Sequence, residues 1–219
     1  MSRPKGGYKL ADGTKVPGVT TVIGKLKDAG PLMYWAWQQG VEGKDFRETR
    51  DAAASAGTVV HAMVENYLRG TVPETALNGV GAEIASKASS AYLGFLEWAE
   101  QTKLRVIEPE LSLVSETLRV GGTMDCSVLS INDRLAIGDW KSSNGLYAEM
   151  LVQVATYGML YEERFPDRPI TGGYHIMRFS KDHGDFHHHY FTELAGARRA
   201  FVLLRELYDL DKELKVRAK

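Results

Sequence analysis

The sequence has one cysteine, Cys126, among its 219 residues, and it has no long apolar run. A single cysteine excludes an internal disulfide, a cysteine-rich zinc site and an iron–sulfur cluster within the chain. No stretch approaches the ~20 consecutive apolar residues that a membrane-spanning helix requires. Residues 1–10 are polar and basic, unlike the apolar core of a signal peptide. We therefore expect a soluble, intracellular protein with no membrane partner.

The sequence also lacks an excess of charge of either sign. Lysine and arginine number 27 against 28 aspartate and glutamate residues, so the formal net charge is −1. A protein that binds nucleic acid through a general basic surface needs a positive excess, and the balance disfavours this class. A nucleic-acid enzyme stays open, because a bound metal ion can supply positive charge locally. No G-x-x-x-x-G-K-[ST] motif is present, so we expect no nucleotide cofactor.

Composition and apolar spacing divide the chain into a helical part and a part with strands. The predicted helices span 31–39, 47–68, 82–101, 147–165 and 193–214. The predicted strands span 106–114, 119–130, 134–141, 173–179 and 185–192, and 16–24 is predicted to be extended. This order predicts an α/β fold of the α+β type, with a mixed central sheet flanked by helices. We expect one domain over 1–219, with a helical portion at 1–101 and a sheet-containing core at 102–219.

The sequence Asp139-Trp140-Lys141 lies at the end of a predicted strand. Residues two apart on a strand point to the same face, so Asp139 and Lys141 project together while Trp140 faces away. Asp125 lies on the neighbouring predicted strand, where a short hairpin can bring it beside Asp139. Two carboxylates at one point can hold Mg²⁺, which polarises a phosphoryl oxygen and acidifies a water molecule. The simpler alternative is an ion pair at a solvated strand end.

Other polar residues fall at spacings that suit a site, although each has a simpler explanation. His61 and Glu65 share a face of a predicted helix, and a neutral imidazole can ligate Mn²⁺ or be an ordinary core histidine. Glu110 opens the first predicted strand, where it adds a third carboxylate or is only an exposed charge. Gln153 and Tyr157 lie four apart on the next helix, where they could hold a substrate phosphate or base, or form an amphipathic pair.

Aromatic and histidine clusters complete the candidate set. Tyr34, Trp35 and Trp37 could stack on unpaired bases, and an aromatic helix that covers the core explains them equally well. Three histidines occupy 187–189. Strand alternation places the outer two on one face and His188 on the other, so we do not expect all three to bind one metal ion.

Several of these segments together resemble the PD-(D/E)XK nuclease superfamily, and within it the RecB-like branch of phage-type and mitochondrial genome maintenance exonucleases. The segments are, in order, GTVVHAMVE (57–65), Glu110, GGTMD (121–125), DWKSS (139–143) and QVATY (153–157). The run VPGVTTVIG (16–24) is also similar to the first segment of such exonucleases. The resemblance extends from about residue 16 to residue 165 and implies a restriction-endonuclease-like core.

The resemblance implies a role for each matching residue. The implied ligands of Mg²⁺ or Mn²⁺ are His61, Asp125, Asp139 and the carbonyl of Trp140. The implied catalytic residues are Asp125, Asp139, the catalytic lysine Lys141, and Glu110 as support for the site or for a second metal ion. The implied DNA-binding residues are Gln153, Tyr157, Arg47 and Arg50, to which we add Trp35 as a stacking surface.

The sequence therefore predicts a deoxyribonuclease, an exonuclease dependent on Mg²⁺ or Mn²⁺ that hydrolyses phosphodiester bonds at DNA ends. Single-stranded ends are the expected substrate, in recombination, repair or phage DNA metabolism. Two alternatives are a structure-specific DNA endonuclease and a catalytically silent DNA-binding adaptor of the same fold. The expected partners are DNA and recombination or helicase proteins. The expected location is the cytoplasm of a bacterium or of a phage-infected host cell.

Overall fold

The computed structural model describes residues 4–26, 30–45, 56–108, 110–124, 128–180 and 183–218. The helices are α1 (Val19–Ile23), α2 (Gly30–Val41), α3 (Ala56–Leu68), α4 (Ala82–Gln101), α5 (Ala148–Arg164) and α6 (Ala195–Arg217), with a 3-10 turn at Pro73–Leu77. The strands are β1 (Tyr8–Lys9), β2 (Lys15–Val16), β3 (Arg105–Glu108), β4 (Leu111–Ser115), β5 (Val120–Met124), β6 (Val128–Ile131), β7 (Arg134–Ser142), β8 (Tyr174–Phe179) and β9 (Phe186–Phe191). Among the helices described, none combines the length and apolarity that a bilayer span requires.

A five-stranded sheet in the order β3-β6-β7-β8-β9 forms the centre of the fold. β7 and β8 run parallel, and the other neighbouring pairs run antiparallel. The connection between the parallel strands is α5, as expected of two parallel neighbours joined by a crossover helix. The prediction of a mixed central sheet flanked by helices is therefore confirmed. β4 pairs with β5, and β1 pairs with β2, in two further antiparallel ladders.

The two faces of the central sheet carry separate apolar clusters. Ile137 and Ile176 belong to a cluster that includes side chains of α1, α5 and α6. Trp140 and Met177 belong to a second cluster with side chains of α3 and α4. Because successive strand residues point to opposite faces, β7 contributes to both clusters and is buried over most of its length.

Helix α4 shows why the predicted helices agree well with the structure where the structure describes them; residues 47–55 of the helix predicted at 47–68 lie outside the described residues. The buried side chains of α4 are Ala88, Ala91, Tyr92, Phe95, Trp98 and Ala99. This spacing places them on one face of a helix of 3.6 residues per turn, and that face packs against the sheet. The predicted bounds of 82–101 are those observed. The predictions at 147–165 and 193–214 differ from α5 and α6 by a few residues at the ends.

Three predictions of local structure were wrong. Residues 16–24 were predicted to be extended, but Val19–Ile23 form helix α1, whose buried residues are Val19, Val22 and Ile23. The segments 106–114 and 119–130 were each predicted to be one strand. Each contains two strands, one in the central sheet and one in the β4–β5 ladder. Apolar alternation is the same in both ladders, so it does not reveal where the chain passes from one to the other.

The aromatic cluster behind β7 gives a stability prediction. Phe95 is fully buried, and its ring centroid lies 5.4 Å from Trp140 and 6.4 Å from Phe179. Phe95→Ala removes these contacts and leaves a cavity, so we expect the free energy of unfolding to fall by about 3–5 kcal/mol. Leu93 on the same helix is 65% exposed, and Leu93→Ala should change it by less than about 0.5 kcal/mol. Urea unfolding measures both, and equal losses would contradict a central role for Phe95.

Candidate active site

The end of β7 presents Asp139 and Lys141 on one face of the sheet and Trp140 on the other. The Nζ atom of Lys141 lies 2.6 Å from Oδ2 of Asp139. The Trp140 ring packs in the aromatic cluster on the opposite face, 6.1 Å from the ring centroid of Phe179. In the parallel pairing of β7 with β8, Lys141 lies opposite Arg178 and Asp139 lies opposite Ile176. This register fixes the positions of Asp139 and Lys141 along the sheet. The D-x-K sequence therefore forms a buried ion pair, not a solvated one.

Burial dominates the electrostatics of Asp139. The residue is 2% exposed, and desolvation raises the pKa of its carboxyl group, while the ammonium of Lys141 and His61 act in the opposite direction. Oδ2 has the ammonium of Lys141 as its charged partner, 2.6 Å away. A buried carboxylate is costly unless charged partners compensate its lost hydration. A hard divalent cation is a suitable partner for such an oxygen.

A chain of hydrogen bonds holds Lys141 on its other side. Its Nζ donates to Oε1 of Gln153 over 2.9 Å, and Nε2 of Gln153 donates to the hydroxyl of Tyr157 over 2.9 Å. The Tyr157 hydroxyl then donates to the carbonyl oxygen of Thr123 over 3.2 Å. The ammonium of Lys141 can only donate a hydrogen bond, and the carbonyl oxygen of Thr123 can only accept one. The amide of Gln153 is therefore oriented with its oxygen towards Lys141 and its nitrogen towards Tyr157. Helix α5 therefore fixes the position of the lysine on β7.

His61 approaches the same place from helix α3. Burial lowers the pKa of its imidazole, and the nearby carboxylates of Glu65 and Asp139 only partly offset this effect. The ring is therefore neutral near pH 7, which leaves one nitrogen lone pair free for a metal ion. The start of α3 is tied to β7 by a hydrogen bond of 2.7 Å from Oγ of Ser142 to the carbonyl oxygen of Gly57. A Cβ at Gly57 would lie 3.2 Å from the Phe179 carbonyl oxygen, so glycine permits this close approach.

Several of these side chains line one cavity of about 520 Å³. The predicted site residues on its wall are His61, Trp140, Lys141, Gln153 and Tyr157. The other lining residues are Tyr8, Gly18, Val19, Thr20, Thr21, Gly122, Thr123 and Ser142. The cavity thus joins residues from the N-terminal segment, α3, β5, β7 and α5.

Asp139 is buried and does not itself line the cavity, although its partner Lys141 does. The remaining predicted residues do not reach this cavity or lie outside the described residues. Glu110 is exposed at the start of β4, and it is not among the lining residues. Trp35 is half-buried on α2 and does not line the cavity. Arg47, Arg50 and Asp125 lie outside the residues that the structure describes. Their roles stay predictions.

Sequence reasoning included residues 16–24 in the family resemblance, but it missed that this segment forms a helix and contributes Thr20 and Thr21 to the cavity. Thr20 and Thr21 of α1 line the cavity, and Thr20 also lines a smaller cavity of about 200 Å³ beside it, together with Lys141 and Glu149. A signal was present in the sequence. Val19, Val22 and Ile23 have helical spacing, and a helix through them places Thr20 and Thr21 on the opposite, exposed side.

The available donors fit a divalent metal ion only in part. Within the described ranges, no cluster of three or more His, Cys, Asp or Glu side chains has the geometry of a metal site. The buried carboxylate of Asp139 and the neutral imidazole of His61 are two suitable donors, one hard and one borderline. The predicted third side-chain ligand, Asp125, lies outside the described residues. Two of the predicted side-chain donors are thus described, and the full set of ligands stays a prediction.

His175 and His188 form a pair on the face of the sheet opposite to Asp139 and Lys141. Nε2 of His188 lies 2.8 Å from Nδ1 of His175, whose own Nε2 lies 3.0 Å from the carbonyl oxygen of Gly172. Burial lowers the pKa of His188 to about 4. His187 and His189 stack on the other face with ring centroids 6.4 Å apart. The three consecutive histidines therefore divide between the faces, as strand alternation predicts.

Comparison with known proteins adds an independent finding. The sequence model of the PD-(D/E)XK nuclease superfamily matches residues 33–214. A solved structure of a presumed exonuclease from Eubacterium rectale shares 12% identity, with a TM-score of 0.46 over 74% of this chain and 67% of that one. The solved structure of SSO0001 also shares 12% identity, with a TM-score of 0.31 over 69% of each chain.

No curated protein sequence matches this chain at a significant level. The family match covers most of the sequence and includes both the D-x-K strand and the helix that carries Gln153 and Tyr157. On this match, the chain belongs to the PD-(D/E)XK nuclease superfamily.

Proposed function

We propose that this protein is a divalent-metal-dependent deoxyribonuclease of the RecB-like branch, an exonuclease that hydrolyses phosphodiester bonds at single-stranded DNA ends. The observation that carries the proposal is the ion pair of the buried Asp139 with Lys141, in which the lysine lines a wide cavity and is held by Gln153. Family membership supports the nuclease activity. The choice of an exonuclease rests on the resemblance of the ordered sequence motifs.

The proposed metal ligands are Asp139, His61, Asp125 and the carbonyl of Trp140. A bound Mg²⁺ or Mn²⁺ supplies Lewis-acid polarisation of the phosphoryl oxygen and acidifies a water molecule. Asp139 suits this role because its carboxylate is buried beside the cavity-lining Lys141, and carboxylate oxygens are the ligands that hard divalent cations prefer. His61 suits it because burial keeps the imidazole neutral. Glu110 is proposed to support the site or a second ion.

Lys141 is the proposed catalytic lysine. Its ammonium lies on the cavity wall, held between the carboxylate of Asp139 and the amide oxygen of Gln153. An ammonium fixed in this way stabilises the negative charge that develops on the phosphate oxygens during hydrolysis, with little reorganisation. The catalytically silent adaptor is disfavoured because Asp139 and Lys141 are both present, and a silent module need not keep either residue.

The DNA strand is proposed to enter the cavity and to contact side chains on several elements. Gln153 and Tyr157 lie on the cavity wall, near the predicted position of the scissile phosphate. Arg47 and Arg50 are proposed to bind phosphates, and Trp35 to stack on a base. We treat the chain as one nuclease domain, because both apolar clusters use side chains of the same central sheet.

The proposed setting is recombination, repair or phage DNA metabolism in the cytoplasm of a bacterium or a phage-infected cell. Recombination or helicase proteins are the proposed partners, because the sequence has no nucleotide-binding loop of its own.

The first prediction from the proposed function concerns the residues that carry the chemistry. We expect Asp139→Asn, Asp125→Asn and Lys141→Ala each to lower kcat on single-stranded DNA by about 100-fold or more, because each removes a group that acts on the reacting phosphate. A labelled-oligonucleotide cleavage assay measures the loss. Asp133→Asn and Lys87→Ala are matched controls, since both residues form exposed ion pairs. Full activity in all three site variants would reject the site.

The second prediction separates metal binding from activity. Mg²⁺ or Mn²⁺ should raise the Tm of the wild type and leave that of Asp139→Asn unchanged, because a ligand stabilises only the state that binds it. Asp133→Asn should respond like the wild type. Differential scanning fluorimetry with and without EDTA measures these shifts. An equal shift in Asp139→Asn would exclude this carboxylate as a metal ligand.

The same measurement tests the burial of Asp139. Since desolvation raises the pKa of this carboxyl group, its ionised form destabilises the folded, metal-free protein above that pKa. In EDTA at pH 7, Asp139→Asn should therefore melt at the wild-type Tm or above it. The difference should shrink as the pH falls and the wild-type carboxylate takes up a proton.

The third prediction distinguishes an exonuclease from an endonuclease. We expect the wild type with Mg²⁺ or Mn²⁺ to degrade linear single-stranded DNA and to leave circular single-stranded DNA intact, because an exonuclease requires an end. Gel analysis of both substrates, with Asp139→Asn prepared in parallel to detect contaminating nucleases, measures this. Cleavage of the circle by the wild type alone would favour the endonuclease. Binding without cleavage of either substrate would favour the adaptor.

A further inference from the structure

We propose that the N-terminal segment, residues 4–26, forms a substrate-binding wall of the active site, on which Thr20 and Thr21 donate hydrogen bonds to phosphate oxygens of the DNA strand. The inference rests on the proposed nuclease function and adds a contact surface to it. The family match begins at residue 33, so this segment lies outside the part of the chain that the match describes.

The segment is built into the fold through two glycines of β5. A Cβ at Gly121 would lie 2.2–2.5 Å from the ring and Cβ of Tyr8, so only glycine leaves room for this tyrosine. A Cβ at Gly122 would lie 2.7 Å from the ring of Tyr157 and 3.1 Å from Cγ2 of Val19. Gly121 of β5 therefore leaves space for Tyr8 of the N-terminal segment. Gly122 leaves space for Val19 of α1 and for Tyr157 of α5.

Hydrogen bonds complete the attachment of the segment. The backbone amide of Gly121 donates to the carbonyl oxygen of Pro17 over 3.0 Å. The Tyr8 hydroxyl lies 3.0 Å from Oγ1 of Thr123, which lies on the same cavity. The segment is thus fixed against the strand that also receives the hydrogen bond from Tyr157.

The two sides of α1 then have different environments. Val19, Val22 and Ile23 are 0–3% exposed in the apolar cluster with α5 and α6. Thr20 and Thr21 are exposed and face the main cavity. Thr20 also lies on the smaller cavity, and both cavities include Lys141 and Gln153. The structure thus holds two hydroxyl groups on a fixed surface across from the proposed catalytic lysine.

The chemistry of this surface suits a phosphodiester backbone. A threonine hydroxyl is a neutral donor, and half or more of protein–DNA hydrogen bonds go to phosphate and sugar oxygens. Neutral donors also add affinity without the basic excess that this chain lacks. Neither threonine hydroxyl has a hydrogen-bond partner among the side chains and backbone groups described. A strand that lies along α1 would therefore place its phosphates between these donors and Lys141.

The test uses Thr20→Val, Thr21→Val and the double variant, because valine keeps the branched shape and removes the hydroxyl. Binding of a 5′-fluorescein single-stranded 20-mer is measured by anisotropy in the Asp139→Asn background, and KM and kcat are measured in the active protein. We expect Kd and KM to rise about tenfold for each hydroxyl removed, as for a hydrogen bond to a charged group, with kcat changed less than about threefold. The salt dependence of Kd should keep its slope, since no charge is lost.

Three controls make the outcome decisive. Thr14→Val changes an exposed threonine of the same segment that lines neither cavity, and it should bind DNA like the wild type. The double variant with serine at 20 and 21, Thr20→Ser and Thr21→Ser, keeps both hydroxyls and should retain the wild-type Kd. Thermal melting of every variant verifies that the fold is unchanged.

The results separate this inference from the proposed function. A wild type that cuts DNA, with valine variants equal to Thr14→Val in Kd and KM, would overturn the inference and leave the nuclease proposal standing. A wild type that neither binds nor cuts DNA with Mg²⁺ or Mn²⁺ would reject both. A loss of kcat without a change in Kd would also contradict a binding role for the two threonines.

Discussion

The candidate site depends on one buried ion pair, between Asp139 and Lys141 on β7. An ionised carboxylate that is 2% exposed is stable only when a cation and hydrogen bonds compensate its lost hydration. Lys141 supplies the cation at 2.6 Å, and Gln153 holds the lysine from helix α5. On the opposite face, Trp140 packs against Phe95 and fixes the strand from behind. The geometry of the pair therefore requires both apolar clusters to be in place.

Glycine residues determine how closely the surrounding elements approach this strand. Gly57 lets the start of α3 contact the ends of β7 and β8, which brings His61 to the site. Gly121 and Gly122 let Tyr8, Val19 and Tyr157 pack on β5. None of these positions has a positive φ. At Gly121 and Gly122 glycine is required for space, because a Cβ would collide with a neighbouring side chain, whereas at Gly57 a Cβ would fit only tightly.

The sequence predicted the class of fold, which is confirmed, and it predicted which side chains of one strand or helix share a face, because both follow from local patterns. Amphipathic spacing placed α4 at its observed bounds, and the alternation around Asp139 separated its side chain from that of Trp140. Local patterns failed at 106–114 and 119–130, each of which was predicted to be one strand. The first segment contains β3 and β4, and the second contains β5 and β6. Alternation gives the face of a side chain, but it does not identify the partner strand.

The sequence by itself determined which side chains share a face, since a strand repeats every two residues and a helix every 3.6. It thereby determined that Asp139 lies with Lys141, and Gln153 with Tyr157. Only the tertiary structure decided that these pairs meet, that α1 supplies Thr20 and Thr21 to their cavity, and that Glu110 remains outside it. The physical reason is that such contacts join elements distant in sequence. The distances between such elements depend on how whole helices and strands pack. The spacing of residues within one element does not show this packing.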